Sequence, residues 1–311
     1  MKPVNNERGF ALVIALIVTT LLVGLLMEFV DEVVVDASHS HNFVDSQQAS
    51  ILSESGIDAG MKILQFSALR RTGKYSTLTE MWAKPQTQTT EAGTVTITIE
   101  EESGKLDLNS TTFANGKAND FYQLAMGRLL TKLQLSQDLY DSLADWIDNN
   151  DTPRPGGAET SYYLNQKPPC QPHNGRLDTL EELAQVKGFT PEVMGKLKPF
   201  VTVYGPDPNA TSNAININTA PKEVLESLDD SLARGDLVER ILDYRKTKPI
   251  TALADIPGIG TLAQSLQLYV TFQGTVYRIH SEARAGDSVS VTEAVVTGIE
   301  STPKILYWRE Y

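Results

Sequence analysis

Asp145, Asp148 and Asp151 recur at every third position of the segment LADWIDNND, and Glu159 follows after a loop rich in proline and glycine, TPRPGGAE. That spacing puts neighbouring carboxylates near one edge of a helix end. Crowded carboxylates repel and raise one another's pKa unless a cation compensates. An all-oxygen donor set with no His or Cys in it suits Ca²⁺ better than zinc, although the spacing is not that of an EF-hand loop. The plain alternative is a solvated acidic helix end with Arg154 as local counter-ion, since charge runs are usually just solvated.

Other residues capable of chemistry are scattered. His39 and His41 stand two apart on different helix faces, and His173 and His280 are remote from them, a poor arrangement for chelation. The sequence contains no nucleophile elbow, no P-loop and no dinucleotide fingerprint. Cys170 has His173 three positions on but no orienting third group in sequence, so it reads as a loop cysteine and not as a nucleophile. A single cysteine also excludes an intrachain disulfide. A non-enzymatic protein is expected. The formal net charge of −12 opposes unaided binding to nucleic acid.

Elements must position these residues, and the first is a membrane anchor. Residues 10–27 carry no charge, and a helix of that length rises ~27 Å, close to the hydrocarbon thickness of a bilayer. A secretory signal peptide would have a shorter apolar stretch and a small-x-small cleavage site. Lys2 and Arg8 precede the span, so the positive-inside rule keeps them cytoplasmic and sends the rest outward. No helix breaker follows until Gly56, and Val30, Val34, Ala37, Val44 and Ile51 fall at three-, four- and seven-residue spacings, a stripe suited to partner helices.

Residues 94–100, TVTITIE, alternate as a half-buried strand requires, and their plausible partners lie far along the chain at 275–284, 288–297 and 305–311. Helical periodicity dominates between them. The expected fold is therefore α+β: a long N-terminal helix on a small antiparallel sheet, with a large all-α domain inserted between strands.

Within the insert, residues 180–204 and 253–269 read as helix-hairpin-helix units turning at Gly188 and at Gly258-Ile259-Gly260. DNA-binding versions hold a phosphate on such turn amides with help from nearby cations. The cluster Arg240, Arg245, Lys246 and Lys248 fits that, but Glu239, Asp243 and Asp255 sit among the cations, and a packing role is favoured. In the segment 214–221, AININTAP, Asn218 or Thr219 is expected to cap a helix opened by Pro221. That string also resembles competence-type DNA-binding proteins, which makes a membrane-tethered DNA receptor the alternative function.

A short basic leader ending at Gly9, followed by Phe10 and an apolar helix, resembles a type IV prepilin signal. The resemblance implies cleavage after Gly9 and N-methylation of Phe10 by a prepilin peptidase. Most such chains carry glutamate at the fifth mature residue; here it is Ile14. Together with Asp145-Trp-Ile-Asp148, the Arg154 to Glu159 loop, Tyr162-Tyr163 and the segment from Ile215 to Pro221, the chain resembles minor pseudopilin K of type II secretion systems across nearly its whole length. The resemblance implies one or two structural Ca²⁺ ions in the insert, carried over to Asp145, Asp148, Asp151 and Glu159. It also implies a single pass through the inner membrane, a periplasmic bulk, and a place at the pseudopilus tip with minor pseudopilins of the I and J types. The expected organisation is a leader over 1–9, the membrane part of the helix over 10–30, a first pilin-like part over 31–107, the helical insert over 108–273 and a second pilin-like part over 274–311.

Overall fold

The computed structural model describes residues 7–205, 213–299 and 302–311; most of the expected leader, including Lys2, lies outside them. The first element, α1 (Glu7–Arg70), is one unbroken helix of 64 residues. No proline interrupts it, and inside the apolar segment the Thr19 and Thr20 hydroxyls donate to the carbonyls of Ala15 and Leu16 at 2.9 and 2.7 Å, so no polar group is stranded. The segment is long and apolar enough to cross a membrane, and none of it is buried within the fold.

The far half of α1 packs on a sheet through Ala49, Ser53, Gly56, Ile57, Gly60 and Leu64, buried at intervals of one to four residues. Gly56 does not break the helix. A Cβ there would overlap Ser281, and one at Gly60 would come within 2.7 Å of Ile279 Cγ2, so both glycines serve the close approach of helix to sheet. Val30, Val34, Val44 and Ile51 are all exposed.

After α1 the chain forms a hairpin, β1 (Gln86–Thr90) and β2 (Gly93–Glu101). It then leaves the sheet through β3 (Leu106–Asp107), α2 (Asp120–Lys132), α3 (Asp138–Ile147), α4 (Thr160–Leu164), α5 (Pro191–Leu197) and β4 (Val201–Thr202). Next come β5 (Ile215–Asn216), α6 (Lys222–Leu228), α7 (Asp230–Arg234), α8 (Leu237–Thr247), α9 (Leu262–Leu266) and β6 (Val270–Thr271). The chain returns as β7 (Val276–Ala285), β8 (Ser288–Thr297) and β9 (Lys304–Glu310). The main sheet has the order β1-β2-β7-β8-β9, every pair antiparallel. The protein is thus α+β, with β2 and β7 paired directly, Ile97 against Ser281 and Ile99 against Ile279, despite the long excursion between them.

Three features depart from expectation. β1 has the sequence QTQTT, without apolar alternation, and still forms the outer strand, aligned by β2 and by Thr87 and Thr89 facing Thr96 and Thr94. The excursion is not purely helical: β3 pairs with β4 and β5 with β6, each as a parallel two-residue ladder. The first arms of the two hairpin units are short 3₁₀ turns, Leu180–Gln185 and Leu253–Asp255.

Alternation along β7 and β8 divides the buried residues between two cores. Tyr277, Ile279, Ala283, Ala294 and Val296 join Ile57 and Leu64 of α1, with Trp82 edge-on to Tyr277 at 5.3 Å. Val276 and Val295, on the other face, join the large core of the excursion. α1 therefore covers one face of the sheet, and the helical module packs against the other face around Val276 and Val295. At that second contact Arg278 donates to Glu102 at 2.8 Å, and also bonds Glu293, while lying over the Tyr204 ring. Trp308, on the edge strand β9, remains 40% exposed.

Candidate metal centre

α3 is apolar on its core face and buries Leu139, Leu143, Ala144, Trp146 and Ile147, which carries Asp145 inward with them. The helix stops at Asp148, whose extended backbone (φ −80°, ψ 166°) lets its Oδ1 accept from Asn150 N at 3.0 Å and from Asn150 Nδ2 at 2.6 Å. Pro153 and Pro155 then keep the chain out of helix until α4. Gly156 and Gly157 bring the loop back onto α3, since a Cβ at Gly157 would overlap Asp145 Oδ2 and one at Gly156 would press on Asp138. Lys187 Nζ donates to the carbonyls of Gly156 and Gly157 at 3.0 and 2.8 Å, and Trp146 stacks edge-on with Tyr163 at 5.0 Å. Lys187 belongs to the turn of the first hairpin unit, and nothing in its local sequence marks this role.

The loop delivers Glu159 to the two aspartates. Asp145, Asp148 and Glu159 are all buried, with one oxygen of each lying within 4.8 Å of the others. Asp151 stands outside that group: it is exposed, and its Oδ1 accepts from Thr160 N at 3.2 Å. The three-residue spacing predicted a common edge, but α3 has ended before Asp151 and the spacing no longer maps to one helix face. Glu182 is engaged elsewhere: its Oε1 accepts from Trp146 Nε1 at 2.7 Å and meets His173 Nδ1 at 2.6 Å, and its Oε2 accepts from Asp178 N at 3.1 Å.

Arg154 supplies the positive charge that is present. Its Nη1 donates to Asp145 Oδ1 at 2.5 Å and to Asp148 Oδ2 at 2.8 Å, and its Nη2 to the Gly116 carbonyl at 2.7 Å. Both oxygens of Glu159 are buried without a hydrogen-bond partner among the described residues. Burial, then the charges of Asp145, Asp148 and Asp151, push the Glu159 carboxyl up to about 7. Burial likewise raises Asp145, against the pull of Arg154. An orphaned buried carboxylate facing two more, all oxygen and without His or Cys, fits a hard divalent cation.

Three of the four cations that precede the second hairpin unit have partners, and Lys248 is exposed. Arg245 donates to the carbonyls of Ile217 and Ala220 at 3.1 and 2.7 Å, Arg240 pairs with Asp236, and Lys246 with Asp243. The segment from Ile215 to Pro221 does not cap α6, whose first residue follows Pro221 with no side-chain cap. Asn218 instead brackets the backbone of Ile250 and reaches the Phe272 carbonyl, and Thr219 donates to Glu101. The polar side chains at this helix start are drawn away by tertiary contacts that local pattern does not reveal.

Two family models, both described as type II secretion system (T2SS) protein K, match residues 104–207 and 215–271, together just over half of the chain. The chain belongs to the type II secretion system protein K family. The first match contains the carboxylate cluster, and the second contains β5, β6 and the second hairpin unit. A putative type II secretion system protein K from Escherichia coli (strain K12) is 28% identical over 252 residues, covering 77% of this chain and 72% of its own. A type II secretion system protein K from Pseudomonas aeruginosa is 28% identical over 218 residues, covering 68% of this chain and 63% of its own. The fold matches a chain in the crystal structure of the GspK-GspI-GspJ complex from the enterotoxigenic Escherichia coli type 2 secretion system. The TM-score is 0.70 at 20% identity, over 88% of this chain and 99% of that one.

Proposed function

We propose that this chain is a non-enzymatic minor pseudopilin that sits at the tip of a type II secretion pseudopilus, where it initiates or caps assembly for export of folded proteins. The observation that carries this reading is the continuity of α1: one helix runs from an exposed apolar span directly onto the sheet. Such a helix is an anchor at one end and a packing surface at the other. The span is a single pass through the inner membrane and the bulk is periplasmic. Cleavage after Gly9 and methylation of Phe10 by a prepilin peptidase prepare the mature chain. Ile14 then offers no carboxylate to the N-terminal amine of a subunit stacked above, and an unpaired charge in lipid is costly.

The helical module over residues 108–273 adds a steric reason for a terminal place. It lies on the sheet face opposite α1, so it leaves α1 free to pack laterally through Val30, Val34, Val44 and Ile51 while it obstructs addition beyond it. The partners for that lateral packing are minor pseudopilins of the I and J types, by analogy with the GspK-GspI-GspJ complex that contains the matching fold. Asp145, Asp148 and Glu159, with Asp151 at the margin, would hold structural Ca²⁺, which neutralises the buried carboxylates and ties the loop before α4 to α3. Mass spectrometry of the chain extracted from membranes tests the anchor: the mature protein is expected to begin at a methylated Phe10. A start beyond residue 30 would remove the anchor and the reading with it.

A further inference from the structure

We propose that Arg154 is an internal counter-cation that competes with calcium for the carboxylate cluster and so sets the calcium concentration at which the site loads. This rests on the calcium reading above and adds a competitor to it.

The geometry supplies the competition. Asp145 Oδ2 is held by the Arg154 backbone N–H at 3.0 Å, and Asp148 Oδ1 by two donors of Asn150. The remaining oxygens, Asp145 Oδ1 and Asp148 Oδ2, are both bound by the single atom Nη1 of Arg154. An ion that draws on both aspartates through the oxygens the loop does not hold must compete with the guanidinium for them. Solvent access points the same way: the side chains of Asp145 and Asp148 are 0% exposed and that of Arg154 is 19% exposed. Of the three side chains, Arg154 alone reaches solvent.

The third observation is independent of both. Glu159 is buried with neither oxygen partnered among the described residues, so Arg154 satisfies two carboxylates of the group and leaves the third. One positive charge cannot balance three carboxylates, whereas a divalent ion that also engages Glu159 gains a ligand the arginine does not use. Arg154 is therefore strong enough to hold the loop in shape and too weakly charged to exclude calcium.

Calorimetric titration of the full chain in detergent with CaCl2, for wild type, R154Q and R154K, tests this, with melting temperatures in EDTA and in calcium alongside. R154Q is expected to bind calcium about tenfold tighter or more, because a neighbouring positive charge is removed. It should melt lower than wild type in EDTA and recover in calcium. R154K should fall between the two, since a lysine keeps the charge but not the fork. In wild type, the Arg154 guanidinium protons should exchange faster once calcium saturates the chain, a readout that does not need the variant to fold. Equal or weaker calcium binding by R154Q, or exchange unchanged by calcium, would make Arg154 a structural brace and overturn the competition while leaving the calcium reading intact. If neither wild type nor R154Q takes up calcium, both fall together.

Discussion

Glu101, the last residue of β2, accepts a hydrogen bond from Asn216 Nδ2 at 2.7 Å across 115 positions of sequence. Ser76 Oγ donates to its other oxygen at 2.8 Å, and Thr219 Oγ1 lies at 3.2 Å. Gly274, just before β7, packs so closely that a Cβ there would overlap the carboxylate. One buried side chain thus joins the loop after α1, the strand the chain leaves by, the helical module, and the point of return.

That junction is pH-sensitive. Burial pushes Glu101 up to about 7, against the hydrogen bonds of Asn216, Ser76 and Thr219 and the charge of Arg71. In the unfolded chain it titrates near 4.5. The folded state therefore holds a proton that the unfolded state has lost, and the resulting stability, full below about pH 4.5, declines as pH rises to about 7. Glu101→Gln is expected to remove this part of the slope and to be more stable than wild type at pH 8 by on the order of 1–3 kcal/mol. Thermal unfolding between pH 4.5 and 8 measures it. Parallel curves for the two proteins would show that Glu101 does not titrate in that window.

The contact of α1 with the sheet depends on missing side chains. Gly60→Val is expected to destabilise the protein by about 1–3 kcal/mol, because its branches must displace Ile279 and Ile97. Gly195→Ala, in α5 with nothing within 4 Å of its Cβ, is expected to be neutral or stabilising by up to about 1 kcal/mol. Urea unfolding of the pair separates crowding from a general intolerance of glycine replacement.

Calcium should raise the melting temperature, and the carboxylates should contribute unequally. Asp148→Asn and Glu159→Gln are expected to abolish most of the rise, since both belong to the buried group. Asp151→Asn should keep most of it. Differential scanning calorimetry with calcium and with EDTA reads the difference; an equal loss in all three variants would place Asp151 inside the site.

The helical module should be removable. Glu101 and Tyr277 face each other in the β2–β7 ladder, so replacing residues 102–276 by a two-residue Asn-Gly turn converts the pair into a hairpin. The shortened chain is expected to keep its sheet by circular dichroism, with lower stability because Val295 loses its cover. It should also enter the filament interior. If it folds and is still excluded from the interior, the absence of a carboxylate at Ile14 is the better cause.

Much of this architecture is legible in the residues themselves. Uncharged length marks the span, and alternation marks β2 and its late partners, because lipid and a half-buried sheet each demand a simple period. The sheet-facing side of α1 is harder to read, because Ala49, Ser53, Gly56 and Gly60 pack by being small and leave no apolar stripe. QTQTT becomes a strand only by pairing with β2. In the cluster, Asp145, Asp148 and Glu159 follow from composition and spacing, whereas the position of Asp151 depends on where α3 stops. Asn218 and Thr219 read locally as helix-start residues, and only tertiary contact reveals that Thr219 holds Glu101 while Asn218 brackets the backbone of Ile250.

Gold labelling of an epitope-tagged chain in assembled pseudopili, viewed by electron microscopy, tests the terminal placement most directly. The label is expected at one end of each filament and nowhere along the shaft. Label distributed along the shaft, or filaments that assemble normally and never carry it, would contradict a tip subunit.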